Sequence, residues 1–440
     1  MLEEPVSKLI LKFAAPTIVS MLVTAIYNMA DTFFVSQIST SASGAVGIIF
    51  SLMAILQAFA FMIGMGSGNN IARLLGQQKQ KQAEIFAAVC FVTEFLAGTL
   101  IAAILLPNLN RVVYLLGATD TIAPYAMDYA KYILFAAPFL MCSLGMNNML
   151  RFQGNAFYAM MGIATGGILN MILDPLFIFG FGMGISGAAI ATGLSQLISF
   201  IILTCQCNLR KSCLSIRLSN FRPSGHVYRA ILTNGFPSLS RQGIASVAVI
   251  IMNFAAKPYG DAAIAAMSIV SRYGNFLNSA VIGFGQGFQP VCGFNYGAGN
   301  YKRVLDAFDF CVRTAVRFLL GLAVISFLFA PEIIAVFRKE DAEVVAIGTL
   351  ALRAQAVSLM CAGYLTMANM FTQTIGYSLH ATIVSLLRQG IWYIPLILVL
   401  PQVFGLWGIV LAQPAADFLS FVTAHLICRR VIGQMREKIV

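Results

Sequence analysis

The chain has 440 residues, of which 59% are hydrophobic and 10% charged. A soluble domain carries about 25% charged residues, so this chain cannot cover a water-facing surface and reads as an integral membrane protein. Its net charge of +11 comes from bases scattered over several loops, which fits a membrane-insertion signal and argues against nucleic-acid binding.

Apolar stretches of about 20 residues, the length that crosses a bilayer, recur along the whole chain. They predict twelve helices at 9–35, 45–72, 85–106, 128–150, 157–180, 184–205, 230–256, 262–291, 307–330, 346–372, 383–404 and 406–428. The strand alternation that a membrane barrel needs is absent from the pattern.

The first span contains Pro16 and, toward its far end, Tyr27-Asn28-Met29-Ala30-Asp31-Thr32-Phe33-Phe34. A carboxylate in hydrocarbon costs about 2.5–3.5 kcal/mol or more, so Asp31 needs a partner or a role. Tyr27 and Asn28 precede it by four and three residues and share its helix face. Pro16 removes the hydrogen bond that the Lys12 carbonyl would accept, which marks either a plain kink or a gating bend. The third span carries Glu94 near its middle. The fifth carries Asn170-Met171-Ile172-Leu173-Asp174-Pro175, and Pro175 frees the Met171 carbonyl in the same way. Thr192 follows early in the sixth span. If the first and fifth spans run outward and the sixth inward, Asp31, Asn170, Asp174 and Thr192 fall at a similar depth. Such a pair of carboxylates can carry a proton, or can stay ionised and hold Na⁺ with amide, hydroxyl and carbonyl oxygens.

The segment after the sixth span is basic. Cys205, Cys207 and Cys213 stand at its start with no His or acid beside them, so they read as ordinary thiols rather than a metal site. In the second half Arg241, Arg272 and Arg353 are bases placed within spans, and Asp417 is an acid near the middle of the twelfth. Arg272 with Asp417 is the ion pair that this placement suggests, against separate packing or snorkelling roles. The 20 Met and 34 Phe read as packing and lipid-facing residues, some of them lining a greasy cleft.

Basic residues also set the orientation. Lys79, Lys81, Arg210, Lys211, Arg217, Arg222, Arg229, Lys302, Arg303, Arg429, Arg430, Arg436 and Lys438 lie on the side of the termini. Arg111, Lys131, Lys257, Arg338 and Lys339 lie on the other. Both termini are therefore expected in the cytoplasm, and the first span is too long for a cleavable signal peptide.

The chain matches itself at an offset of 221 residues. Pro16 falls on Pro237, Gly64 on Gly285, Gly66 on Gly287, Gly76 on Gly297, Gly184 on Gly405 and Gly187 on Gly408. The expected organisation is a six-helix lobe at 1–205, a cytoplasmic linker at 206–229 and a second six-helix lobe at 230–440, related by a pseudo-two-fold along the membrane normal. At this offset Asp31 falls on Met252 and Asp174 on Pro395, so the carboxylate pair belongs to the first half alone.

These strings resemble the multidrug and toxic compound extrusion (MATE) family over nearly the whole chain. Pro16 with Tyr27 to Val35 looks like that family's first helix. Asn170 to Pro175 looks like its fifth, and Gly285-Gln286-Gly287-Phe288-Gln289-Pro290 with Asn295 to Gly299 looks like the end of its eighth and the loop beyond. The resemblance implies an all-α transporter of the bacterial cytoplasmic membrane that exports amphipathic, often cationic, drugs or metabolites in exchange for H⁺ or Na⁺. It implies Asp31, Asn170, Asp174 and Thr192 as the cation network, with Na⁺ at Asp31 and Asp174 as one form. It also implies Pro16 as the bend in helix one, and Tyr27, Asn28, Asn147 and Asn148 as cavity residues. No cofactor beyond the coupling ion, no nucleic-acid partner and a monomer in lipid are expected. Some members carry acids in helices seven and ten; 230–256 and 346–372 have none, which is similar to the DinF-like and MepA-like bacterial branches.

The alternative on the same plan is a flippase for lipid-linked precursors, which would want several bases facing its cleft. An enzyme would need a nucleophile, a metal cluster or a phosphate loop, and none is visible; the three His, at 226, 380 and 425, are scattered.

Overall fold

The computed structural model describes residues 2–209, 214–337 and 341–439. Arg210, Lys211, Cys213, Arg338 and Lys339, on which parts of the orientation and thiol readings rest, lie outside them. The described chain is helical, without strands. Eleven helices have the length and hydropathy to cross a bilayer. They are α1 Val6–Ser36, α2 Ser41–Gly76, α3 Gln80–Leu115, α4 Ala123–Phe152, α5 Ala156–Gly180, α6 Gly184–Asn208, α7 Gly225–Tyr259, α9 Tyr301–Leu328, α10 Ala342–Thr374, α11 Ser378–Phe404 and α12 Leu406–Glu437. Between α7 and α9 runs α8, Asp261–Gly297, whose 37 residues are long enough at about 1.5 Å each. Arg272, Asn275, Asn278, Gln286 and Gln289 dilute its apolar content. A short helix, Ala330–Phe337, precedes α10.

Local chemistry explains several ends. Ser39 accepts a hydrogen bond from the Ala42 amide at the start of α2, and Asp341 caps α10 by accepting from Val344. Gly184 and Gly405 open α6 and α12 at φ of 56° and 58°, backbone that side chains rarely adopt. The α1 helix passes Pro16 without a break. The Ser20 hydroxyl donates to the Pro16 carbonyl, and Thr17 donates to Phe13 and Ala14. These hydroxyls occupy carbonyls near a proline that cannot donate.

The chain forms two compact units. The first is Lys12–Leu239. Its centre is α4, where Tyr129, Leu134, Met141, Arg151 and Phe152 are fully buried, with α2, α3 and α6 packed around it. Residues 214–224 and the start of α7 pack with this unit. Asn220 donates to Glu84, the Tyr228 and Thr93 hydroxyls share a hydrogen bond, and Asn70 donates to the Ala230 carbonyl. Here α2 and α7 cross almost backbone to backbone. A Cβ on Gly66 would lie 2.1 Å from the Ile231 carbonyl oxygen, and one on Gly235 would lie 1.8 Å from that of Met62. Small residues permit such an approach between helices in lipid.

The second unit is Met1–Leu11 with Ser240–Val440. Its centre is α10, packed against α8, α9 and α12, over an apolar core that includes Met252, Met267, Ile334, Leu352 and Ile409.

The two units repeat in detail. The Asn147 amide donates to the Ala159 carbonyl at 2.8 Å, and Asn369 donates to Ala381 at 2.8 Å. These pairs are offset by 222 residues rather than 221. Further on, Gly187 closes on the Phe177 carbonyl and Gly408 on that of Leu400, an offset of 223 for the carbonyls. The structural counterpart of Asp174 is therefore Leu396 or Ile397, not Pro395, and neither is an acid.

Among the described residues each unit also has one π turn, in which amides bond five residues back, at positions that are not equivalent: Leu176–Gly180 near the end of α5 and Leu387–Ile391 in the body of α11. The closing bonds run from Phe181 to Leu176 and from Trp392 to Leu387. The first turn follows directly on Pro175, whose missing N–H cannot continue the α ladder.

Candidate functional site

The first π turn stands beside the buried acids. Asp174, wholly buried, is the penultimate residue of the α-helical part of α5. One turn earlier on the same face, the Asn170 amide donates to Asp174 Oδ1 at 3.1 Å and to Thr192 Oγ1 on α6 at 3.2 Å. Asp31 comes in from α1 and accepts from the Tyr129 hydroxyl of α4 at 3.2 Å. That hydroxyl also meets Thr192. The charges of Asp31 and Asp174 lie near enough to act on each other. Four helices thus supply one polar cluster inside an apolar unit.

The cluster gathers Asp31, Asn170, Asp174 and Thr192, but not by direct contact of the acids. No hydrogen bond between described residues joins Asp31 to the other three; Tyr129 is the link. Sequence reasoning missed Tyr129. It lies among Asp128, Lys131 and Tyr132 near the start of α4, and only the fold turns it inward.

The cluster is not saturated. Asp31 Oδ1, Asn170 Oδ1 and Asp174 Oδ2 are buried and have no hydrogen-bond partner among the described residues. A buried polar atom left unpaired costs about 1–3 kcal/mol, and more if charged. Three vacant oxygens on hard-donor groups are what a proton or a small hard cation would satisfy.

The other sequence candidates are placed as follows. The Tyr27 ring packs on Gly167 of α5, where a Cβ would come within 3.0 Å of it, so Tyr27 holds α1 against α5 near the cluster. Asn28 is half-buried, and its carbonyl accepts from Thr32. Asn147 ties α4 to α5 as described. Asn148 is buried; it donates to the Leu144 carbonyl and accepts from Arg151 at 2.6 Å. Pro16 lies about four turns from Asp31 along α1.

The remaining buried charges differ from expectation. Asp417 pairs with Arg388, not Arg272: Arg388 Nε donates to Asp417 Oδ1 at 2.8 Å. Arg388 lies inside α11, within the 383–404 span that hydropathy already marks, and the buried Arg151 lies inside α4. Span placement alone does not show which base faces α12, so it could not choose between Arg272 and Arg388. Arg241 donates to Asn369 Oδ1, and Arg353 donates to the Phe327 carbonyl and stacks over its ring. Glu94 fills a notch beneath Gly145 and Gly64, and neither carboxylate oxygen has a hydrogen-bond partner among the described residues.

Comparison with known proteins agrees with the duplicated plan. The MatE family model matches twice, over residues 16–176 and 237–399. A protein of Staphylococcus haemolyticus named multidrug export protein MepA is 26% identical over 435 residues, covering 98% of this chain and 95% of its own. A solved structure described as the outward-facing conformation of a multidrug resistance MATE family transporter of the MOP superfamily superposes with a TM-score of 0.94. It is 26% identical over 99% of this chain and 98% of its own. A MATE structure in complex with a compound called MaL6 superposes equally, at 0.94 and 25% identity, over 99% of this chain and 98% of its own.

Proposed function

The chain belongs to the MatE family, and on that premise we propose that it is a secondary active exporter of amphipathic, often cationic, drugs or metabolites, driven by inward movement of H⁺ or Na⁺. The carrying observation is the unsaturated cluster of Asp31, Asn170, Asp174, Thr192 and Tyr129, with three buried oxygens left without partners. A proton or Na⁺ entering there neutralises carboxylate charge and fills vacant acceptors. Loss of the cation restores carboxylate charge to a site with no basic partner among the described residues. The two states favour different packings of α1, which carries Asp31 at one end and Pro16 in its body. Drug release and cation entry are then linked through one two-state element, as alternating access requires. The surplus of bases on one side supports a bacterial cytoplasmic membrane setting with both termini in the cytoplasm.

The test uses purified protein in liposomes loaded with ethidium, with Na⁺ and pH gradients imposed separately. One of the gradients drives efflux by the unmodified protein, and neither drives it through Asp31→Asn. Wild-type efflux by a correctly inserted Asp31→Asn would overturn the proposal.

A further inference from the structure

The second unit contains a small open-mouthed pocket of about 50 Å³. That is space for a few waters, or for one carboxylate head with the rest of its ligand at the mouth. One wall is apolar, from Ala248, Val249 and Met252 of α7. The rest of the lining is largely polar and includes Arg388 and Gln389, consecutive residues of the α11 π turn. π turns of this kind are frequent at functional sites.

Arg388 is held from behind. Asp417, with no solvent exposure, accepts three hydrogen bonds: Arg388 Nε and Gln413 Nε2 at 2.8 Å on Oδ1, and Ser358 Oγ at 2.9 Å on Oδ2. The anchor therefore has both oxygens occupied and engages only one guanidinium nitrogen. The terminal amino groups of Arg388 make no hydrogen bond to described residues, and its side chain stays 20% exposed at the pocket. A guanidinium fixed through Nε presents its two terminal nitrogens as a planar fork, the arrangement that takes a carboxylate through two parallel hydrogen bonds.

We propose that this pocket binds the carboxylate head of an amphipathic ligand, with the Arg388 fork on the carboxylate and the Ala248–Met252 wall on the apolar body. Acidic or zwitterionic amphiphiles then join the ligands of this protein through a site in the second unit. The proposal does not rest on coupling in the first unit, since binding needs no gradient.

The only two tryptophans, Trp392 and Trp407, both lie in this unit. Trp392 closes the π turn and donates from Nε1 to Thr423 at 3.3 Å. Their fluorescence in detergent-solubilised protein reports binding of 1-naphthoate, with the neutral isostere 1-naphthamide as comparison. Naphthoate is expected to bind at least about tenfold more tightly than naphthamide. Arg388→Gln should erase that preference and leave naphthamide binding unchanged, while Arg388→Lys should keep part of it. Should Arg388→Gln fail to fold, Arg388→Gln with Asp417→Asn leaves no buried charge unpaired and gives the same reading. Naphthoate binding is read without any gradient, which separates failure of this site from failure of the proposed antiport. Equal affinity for the two probes, or retained preference in an Arg388-less protein that folds, would overturn the site.

Discussion

Both units bury a polar cluster beside a π turn between corresponding helices, yet the clusters are opposites. In the first, two acids face amide and hydroxyl groups, and among the described residues no base joins them and three oxygens lack partners. In the second, one acid has a base and two further donors, so both its oxygens are occupied. An unsaturated acid pair has something to gain from a mobile cation, whereas a saturated ion pair holds its place. Duplication supplied the same scaffold twice, and a few side chains divided the work: Asp174 has an apolar counterpart, and Arg388 falls near Gly166 at the offset of this region.

The contrast breaks most sharply at Asp31. Asp31→Asn should lower gradient-driven ethidium efflux to the leak of empty vesicles while the protein remains folded, because it removes a costly charge rather than a structural bond. A parallel loss of thermal stability would show that the first cluster is structural and erase the contrast. Asp174→Asn should follow closely, with severe loss of efflux, since Asp174 is the more deeply buried acid.

The second cluster should respond in reverse. Arg388→Ala leaves Asp417 buried without its base and should destabilise the protein by about 2–3 kcal/mol, below the full value for a buried pair because Arg388 is partly exposed. Thermal unfolding in detergent measures this. Asp417→Asn should disturb coupled efflux less than either first-unit substitution; efflux as low as that of Asp31→Asn would place coupling in both units.

The smallest effect is expected at Tyr129. Tyr129→Phe removes the bond that joins Asp31 to the rest of the cluster. That bond favours the ionised, cation-free carboxylate, so its loss should lower the half-saturating concentration of the driving cation by about tenfold, near the lower range for a hydrogen bond to a charged group. No change would mean that Asp31 acts without this link.

Much of this was legible in residue order. Acids at 31 and 174 stand out because the surrounding segments are apolar, and Asn170 precedes Asp174 by one helical turn. What spacing could not give was the facing between helices. Tyr129 looked like one of several polar residues near a helix start. Arg272 and Arg388 both fall inside apolar spans, and hydropathy cannot tell which of them faces Asp417. The bond from Asn70 to Ala230 and the Gly66–Gly235 crossing, which bring the start of α7 into the first unit, likewise have no local signature.

The sequence by itself determined the class of the molecule, its membrane helices, the duplication and the two misplaced acids. Each follows from composition or from periodicity along one chain, where the cost of burying charge in hydrocarbon acts residue by residue. Tertiary structure alone decided which donor each acid meets, which oxygens stay empty and that Arg388 rather than Arg272 holds Asp417. Those depend on the rotation of one helix against another, and rotation is fixed by close packing at glycines, by prolines and by π turns acting together across the fold.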